Sequence, residues 1–325
     1  MSLELIKEKW SASVNTVIIG ATKAEGGSRG SGVKCGQEEG LPFLFEEGRI
    51  PNRPVIAAEI FDIEPEDWPQ ALISAYGNAV KNPVDWAVKC EKELKADLIC
   101  LRLLGAHPDL KNKKIDEIIK NIKDILQAVS IPLIIVGCGD DVRDSEILPH
   151  CAQAASGERL LIGEATQDNY KTLTAAALAD GHNIIAQSPI DINIAKQLNI
   201  LITDMGLPPE RIVINPTVGA LGYGLEYAYS IMERGRLAAL SGDKMLAMPF
   251  ICFVGLEAWR TKEARAPVTE FPAWGNHLER GIIWEALTAT TFLQAGADIL
   301  VMRHPKSMEI VRKHIEELMR EGVTK

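Results

Sequence analysis

Short apolar runs alternate with longer amphipathic stretches along the chain after residue 50. Each run is rich in β-branched residues and short enough for a single strand. The runs are Val55–Ile60, Leu98–Leu104, Leu133–Gly137, Leu160–Gly163, Asn183–Gln187, Ile212–Asn215, Pro249–Val254 and Ile299–Arg303. Because amphipathic stretches separate the runs, the pattern predicts parallel strands joined by crossover helices.

Two of the intervening stretches have a clear helical period. Between the second and third runs, apolar residues recur every three or four positions from Ile115 to Val129, which places them on one helical face. A second series, from Met308 to Met319, follows Pro305 and Ser307, residue types that suit a helix start. We predict helices over both segments.

Eight strand-helix units favour an α/β fold of the (β/α)8 TIM-barrel class, because closing the sheet removes both edges and buries each strand on two faces. A doubly wound open sheet is the alternative. Against it, no strand is followed by G-x-G-x-x-G, and the pattern does not change halfway along the 325 residues. We assign residues 51–325 to one closed barrel.

The first 50 residues differ from the rest. Val14–Gly20 reads as a strand and six glycines follow by residue 40, which indicates a hairpin or an extended loop. Gly27–Gly32 is not a phosphate loop, since Val33 stands where lysine is required. We predict that residues 1–50 form a Gly-rich hairpin extension covering the lower end of the barrel, with a partner-contacting arm as the alternative.

Composition narrows the function classes. The formal net charge of −9 disfavours binding to nucleic acid, which requires clustered Lys and Arg. No window approaches the roughly 18 uninterrupted apolar residues of a membrane span. Because Met1–Trp10 is charged where a signal peptide would be apolar, we expect a cytoplasmic protein that binds neither nucleic acid nor membrane.

Metal and nucleophile signatures are missing from the sequence. The six cysteines have no C-x-x-C spacing, so we expect neither a zinc ribbon nor an iron-sulfur cluster in this chain. Cys138 alone follows a strand closely, and there too a structural role is favoured. No H-x-H or H-E-x-x-H motif occurs and no G-x-S-x-G elbow follows a barrel strand, so no metal ligand and no catalytic residue is assigned.

Candidate residues follow the strands, since barrels of this class place their sites at the C-terminal strand ends. This rule selects Glu59, Asp62, Arg102, His107, Gly139, Asp140, Glu164, Thr166, Gln187, Ser188, Asn215, Thr217, Gly255, Glu257, Arg303 and His304. Ion pairs within the barrel mouth are an alternative role for Glu59, Arg102 and Glu164.

The loop after the sixth run, residues 215–224, is glycine-rich and apolar. Its three glycines would let the backbone approach a flat ligand or another chain closely. A tight strand-to-helix turn that needs positive φ is the alternative.

Several segments together resemble one family, the small subunit of the corrinoid iron-sulfur protein, called the delta subunit in the archaeal acetyl-CoA decarbonylase/synthase complex. The resemblance covers nearly the whole chain. It lies in residues 17–20 (VIIG), 41–43 (LPF), 45–48 (FEEG), 52–62 (NRPVIAAEIFD), 215–217 (NPT) and 222–227 (GYGLEY).

The resemblance implies a barrel subunit of a heterodimeric methyl carrier. Its larger corrinoid iron-sulfur partner would carry the iron-sulfur cluster and the cobamide-binding domain, and the cobamide would lie between that domain and the mouth of this barrel. Methyltetrahydrofolate would supply methyl through a separate methyltransferase, and CO dehydrogenase/acetyl-CoA synthase would receive it. The D-x-H-x-x-G signature of histidine-ligated cobalamin fails here, because Ile185 stands at its last position.

From the loop and the resemblance we expect a corrin-bordering surface formed by Gln187, Asn215, Thr217, Gly219, Gly222, Tyr223, Gly224 and Arg303. One alternative is a pterin-binding barrel methyltransferase that acts on methyltetrahydrofolate, with Asn215 and Asp140 holding the ring. Another is a scaffold subunit whose mouth docks a partner without touching a cofactor.

Overall fold

The chain begins with a two-stranded antiparallel hairpin. The computed structural model describes residues 7–321, and in it β1 (Thr16–Ile19) pairs with β2 (Val33–Gly36), with Val17 opposite Cys35. The burial of β1 alternates, so Val17 and Ile19 point to one side and are fully buried. The predicted hairpin is confirmed.

Eight further strands close into a parallel barrel, as the sequence predicts. They are β3 (Val55–Phe61), β4 (Leu98–Arg102), β5 (Leu133–Val136), β6 (Leu161–Ala165), β7 (Asn183–Gln187), β8 (Ile212–Asn215), β9 (Phe250–Cys252) and β10 (Ala297–Met302). Neighbours follow chain order, and β10 pairs with β3 to complete the circle. The seventh barrel strand is shorter than its apolar run, because Val254 already begins a helix.

Helices follow the barrel strands and cover the outside. They are α1 (Gln70–Tyr76), α2 (Pro83–Lys92), α3 (Ile115–Ala128), α4 (Asp141–Ala154), α5 (Tyr170–Asp180), α6 (Ile192–Asp204), α7 (Leu225–Leu240), α8 (Val254–Ala258), α9 (Lys262–Arg265), α10 (His277–Ala295) and α11 (Pro305–Glu321). The helices predicted from periodicity are α3 and α11. No helix within residues 7–321 is long and apolar enough to cross a membrane.

The hairpin packs into the end of the barrel where the strands begin. Val17, Ile19 and Cys35 join a single buried apolar cluster with residues near the start of the barrel strands, among them Leu98 and Ile299. Burial of each large aliphatic side chain contributes about 1.5 to 3 kcal/mol. The hairpin therefore covers the lower end of the barrel, which leaves the opposite end as the open mouth.

One buried arginine forms ion pairs at this lower end of the barrel. Arg236 of α7 donates from Nη1 to Glu38 Oε2 at 3.1 Å and from Nη2 to Asp298 Oδ2 at 2.9 Å. Two carboxylates thus face one guanidinium in a buried site, and a net charge of −1 remains there if both acids ionise. Burial and the neighbouring Asp298 raise the pKa of Glu38 to about 8.

The stability of the fold should therefore depend on the ionisation of Glu38. Between pH 4.5 and about 8 the folded chain holds a proton on Glu38 that the unfolded chain releases, so this group makes stability fall as pH rises. Its contribution to the free energy of unfolding falls by up to about 1.4 kcal/mol per pH unit. Glu38→Gln should remove this contribution from urea unfolding free energies measured from pH 5 to 8.

The neighbouring substitution Glu39→Gln is the matched control. Glu39 pairs with Arg49 at the surface, and that pair lowers its pKa, so its loss should leave the slope above pH 5 unchanged. If the free energy of unfolding falls equally steeply with pH in Glu38→Gln and in wild type, Glu38 is ionised in the folded chain.

Candidate functional site

A buried carboxylate joins three neighbouring strands at the barrel mouth. Glu59 of β3 is fully buried and accepts from Arg102 Nε at 2.7 Å and from Arg303 Nε at 2.5 Å. Burial opposes ionisation of Glu59, but the two guanidinium groups together lower its pKa. For Glu59 and Arg102 the ion-pair alternative is thus what the structure shows.

Polar contacts continue from this pair across the mouth. Arg102 Nη1 lies 4.0 Å from Glu164 Oε2, and Asn215 Nδ2 donates to Glu164 Oε1. Burial raises the pKa of Glu164 in spite of the nearby Arg102. The ends of β4, β6 and β8 are therefore linked by side chains, which fixes the position of Asn215.

A second buried carboxylate supports the mouth from outside the barrel. Glu285 of α10 accepts from the backbone N–H groups of Arg303 and His304, at 2.6 and 3.0 Å, and from Trp259 Nε1 at 2.9 Å. Burial raises the pKa of Glu285 and lowers that of His304 to about 4. This contact holds the backbone beneath the Arg303 side chain.

A cavity of about 370 Å³ opens beside the charged pair. Its walls come from the ends of β3, β4, β5 and β10 and from the segments that follow β9. The lining residues are Phe61, Asp67, Trp68, Pro69, Arg102, Leu104, Leu110, Cys138, Gly139, Leu256, Trp259, Arg260, Arg265 and Arg303.

The glycine-rich loop lies on the other side of the mouth and is tightly constrained at its start. Thr217 has φ of +59°, its N–H donates to Asn215 Oδ1 at 3.0 Å, and its hydroxyl donates to Ser188 O at 2.7 Å. A Cβ on Gly219 would collide with the carbonyl oxygen of Tyr223, so the loop folds back on itself there. The tight-turn alternative therefore accounts for Gly219.

The rest of this loop rests on α10 and presents aromatic surface. Trp284 Nε1 donates to Leu221 O at 3.2 Å, and Gly222 lies beside the same indole ring with φ of +75°. Tyr223 is 51% exposed and Tyr227, one helical turn on, is 63% exposed. The loop and the first turn of α7 thus each present one exposed aromatic ring.

The structure divides the expected corrin-bordering residues into two sets. Arg303 belongs to the charged pair and lines the cavity, whereas Asn215, Thr217 and the loop residues 219–224 lie across the mouth and do not line it. Gln187 is half-buried and pairs in register with Asn215. Asp140, named for a pterin site, instead caps α4 by accepting from Arg143 N at 2.7 Å.

Sequence reasoning missed Glu285, Trp68 and Trp259. A signal for Glu285 was present, because it stands among Gly281, Ala289 and Phe292 on the buried face of α10, where a charged residue needs a partner. The two tryptophans gave no signal, since they lie in irregular segments whose position depends on the whole fold.

The cysteines are poor nucleophiles. All six are buried and free, and burial is the largest cause of the raised pKa of each thiol, to about 12 at Cys138. Within residues 7–321 no group of three or more His, Cys, Asp or Glu side chains is arranged to hold a metal ion. The described mouth can bind and orient a ligand.

Loss of the Glu59 carboxylate should destabilise the fold. Glu59→Gln removes the carboxylate that both buried guanidinium groups share and leaves only Glu164, beside Arg102, as a counter-charge, and breaking such a pair costs about 3 to 5 kcal/mol. Urea unfolding measures this cost, with Glu309→Gln as the control, because Glu309 pairs with lysines at the surface. Equal midpoints for the two variants would contradict the role given to Glu59.

Comparison with known proteins adds to this geometry. A family model described as CO dehydrogenase/acetyl-CoA synthase delta subunit matches residues 16–315. The acetyl-CoA decarbonylase/synthase complex subunit delta of Archaeoglobus fulgidus is 37% identical over 315 residues, covering 95% of this chain and 69% of the relative. Its counterpart in Methanopyrus kandleri is 37% identical, covering 96% and 76%.

Solved structures that resemble the chain share its fold at low identity. Dihydropteroate synthase from Xanthomonas albilineans with 4-aminobenzoic acid has a TM-score of 0.56 and 13% identity, covering 82% of this chain and 93% of the other. A dihydropteroate synthase from Coxiella burnetii has a TM-score of 0.54 and 12% identity, covering 88% and 99%. These similarities support the barrel, and the sequence matches identify the family. The chain belongs to the CO dehydrogenase/acetyl-CoA synthase delta subunit family.

Proposed function

We propose that this chain acts as the delta subunit of an acetyl-CoA decarbonylase/synthase complex and pairs there with a larger corrinoid iron-sulfur subunit. The family match over residues 16–315 supports the first part, and relatives that match 95% of the chain are named as subunits of that complex. The six buried, free cysteines favour an iron-sulfur cluster held by the partner.

In this proposal the barrel mouth covers one face of a cobamide that the larger subunit binds. The rings of Tyr223 and Tyr227 offer exposed flat surface, and the half-buried Gln187 and Thr217 lie at the strand ends that precede this loop. Ser188 Oγ, next to Thr217, is buried and has no hydrogen-bond partner among residues 7–321. These groups fit the edge of a large flat cofactor rich in amides.

A bound cobamide would supply the cobalt centre that takes methyl from methyltetrahydrofolate through a separate methyltransferase and gives it to CO dehydrogenase/acetyl-CoA synthase. The residues of this chain would bind and orient the cofactor and exclude water from it. Glu59 is ion-paired with Arg102 and Arg303, and burial raises the pKa of the Cys138 thiol, so no described group of this set is poised as a nucleophile.

The observation that carries the proposal is the exposed aromatic surface beside the loop of residues 219–224, in a chain of the delta subunit family. Tyrosine combines a flat apolar ring with a polar hydroxyl, which suits it to contact with a cofactor or a partner. The cavity of about 370 Å³ lies near the lower limit for ligand pockets, so the mouth accommodates one face of a large cofactor and does not enclose it.

A bulky residue at Gly222 should weaken cobamide retention. Gly222 is exposed and a Cβ there would meet only Trp284, at 3.9 Å, so a leucine side chain projects from the loop surface. In the assembled heterodimer, Gly222→Leu should weaken cobamide affinity by about tenfold, or about 1.4 kcal/mol. Cobalt content and the corrin absorption spectrum after gel filtration measure the loss.

Gly206→Leu is the matched control, because Gly206 also has positive φ, at +98°, and open space around it. It follows α6 and precedes β8, at the end of the barrel away from the mouth. Both variants carry the same backbone strain, so only Gly222→Leu should lose cobalt. Equal cobalt retention in the two variants would overturn the cofactor contact.

Two binding measurements separate this proposal from its rivals. Tight binding of methyltetrahydrofolate to the isolated chain, measured by calorimetry, would favour a pterin-binding methyltransferase. We expect no such binding, and we expect this chain to slow ligand exchange at the cobamide of the larger subunit. If the exchange rate is the same with and without this chain, the scaffold function is correct.

A further inference from the structure

Two buried arginine side chains line the cavity at the mouth. Arg102 and Arg303 are 7% and 6% exposed, and both pair with the single carboxylate of Glu59. Each uses its Nε for that contact, so the terminal nitrogens of the two guanidinium groups are left for other acceptors. Glu164 supplies a second carboxylate, 4.0 Å from Arg102 Nη1, so the two buried guanidinium groups face two carboxylates.

One donor in this wall has no acceptor. Arg102 Nη2 is buried and has no hydrogen-bond partner among residues 7–321. Buried donors are nearly always paired, because an unpaired one costs about 1 to 3 kcal/mol or more when charged. An unpaired guanidinium nitrogen beside a cavity is the state expected where the acceptor comes from a ligand.

Further arginines stand at the entrance. Arg260 and Arg265 line the same cavity and are exposed, and Arg265 donates to the backbone oxygen of Asp67 at 2.8 Å. Arg260 pairs with Glu257 at 2.9 Å. Arginine presents planar pairs of donors that match carboxylate and phosphate oxygens. The exposed arginines at the entrance therefore attract anions that carry carboxylate or phosphate oxygens.

The remaining walls are apolar. Phe61, Trp68, Leu104 and Leu256 line the cavity, and the Arg303 guanidinium lies over the Phe61 and Trp68 rings, at 5.2 and 5.4 Å from their centroids. At about 370 Å³ the cavity has room for an organic group beside a charged one.

We propose that this cavity binds a small organic anion, a carboxylate or a phosphate ester, whose charged oxygens meet Arg102 and Arg303 while its apolar part lies against Phe61 and Leu256. This site is separate from the loop surface proposed to face the cobamide, since residues 215–224 do not line the cavity. Its function does not depend on that cofactor.

Phenyl phosphate, benzoate and inorganic phosphate are suitable probes for the full chain without partner or cobamide. Calorimetric titrations at constant ionic strength in chloride remove the non-specific effect of salt. We expect saturable binding of phenyl phosphate or benzoate, and the tighter of the two identifies the preferred oxyanion. Absence of saturable binding by both, or binding of inorganic phosphate as tight as either, would overturn the site for an organic anion.

Arg102→Met tests the buried wall. Glu59 keeps its contact with Arg303 in this variant, whereas Glu164 loses its nearby guanidinium group, and affinity should fall about 10- to 100-fold. Arg265→Gln changes only an exposed side chain and should weaken binding about 2- to 5-fold even if Arg102→Met does not fold.

Arg234→Gln removes an exposed arginine from α7, away from the cavity, and is the matched control. It should bind the probes as wild type does. If Arg265→Gln and Arg234→Gln weaken binding equally, the anions bind through net charge alone and the proposed site is wrong.

Discussion

A closed barrel of eight parallel strands has two ends, and the core inside it must be shielded from water at each of them. In this chain the lower end is closed by apolar side chains, Val17 and Ile19 of the N-terminal hairpin, which join the core inside the barrel. At the upper end a buried ion-pair cluster covers the core, and in it Glu59 lies between Arg102 and Arg303. The lower end is therefore filled with apolar side chains, whereas the upper end presents polar groups to a ligand.

Buried arginine and carboxylate side chains meet at both ends of the barrel. At the lower end two carboxylates share Arg236, and the excess of acid is relieved by a proton on Glu38. At the mouth two arginines share Glu59, and an arginine cannot shed its charge at ordinary pH. The lower end can neutralise its excess acid with a proton, whereas at the mouth Arg102 Nη2 has no hydrogen-bond acceptor among residues 7–321.

The sequence predicts most of the fold, because apolar runs and helical periods are local properties. All eight barrel strands, helices α3 and α11 and the hairpin follow from them. It also places Glu59, Arg102 and Arg303 at the mouth, since each lies near the C-terminal end of an apolar run. It could not predict the cavity, because Trp68, Trp259 and Arg265 reach it from irregular segments and short helices whose paths depend on tertiary contacts. Nor does spacing along the chain show that the loop of residues 219–224 turns away from the cavity and onto Trp284 of α10.

The contacts that close the barrel join residues far apart in the chain. Glu59 and Arg303 are separated by 244 positions, and Arg236 and Glu38 by 198. During synthesis the hairpin and β3 leave the ribosome long before β10, so neither end of the barrel can be completed until almost the whole chain has been made. Such long-range pairing slows folding and prolongs the exposure of apolar strands, which increases the chance of aggregation. The chain should therefore depend on chaperones or on rapid capture by a partner more than a helical bundle of equal length does.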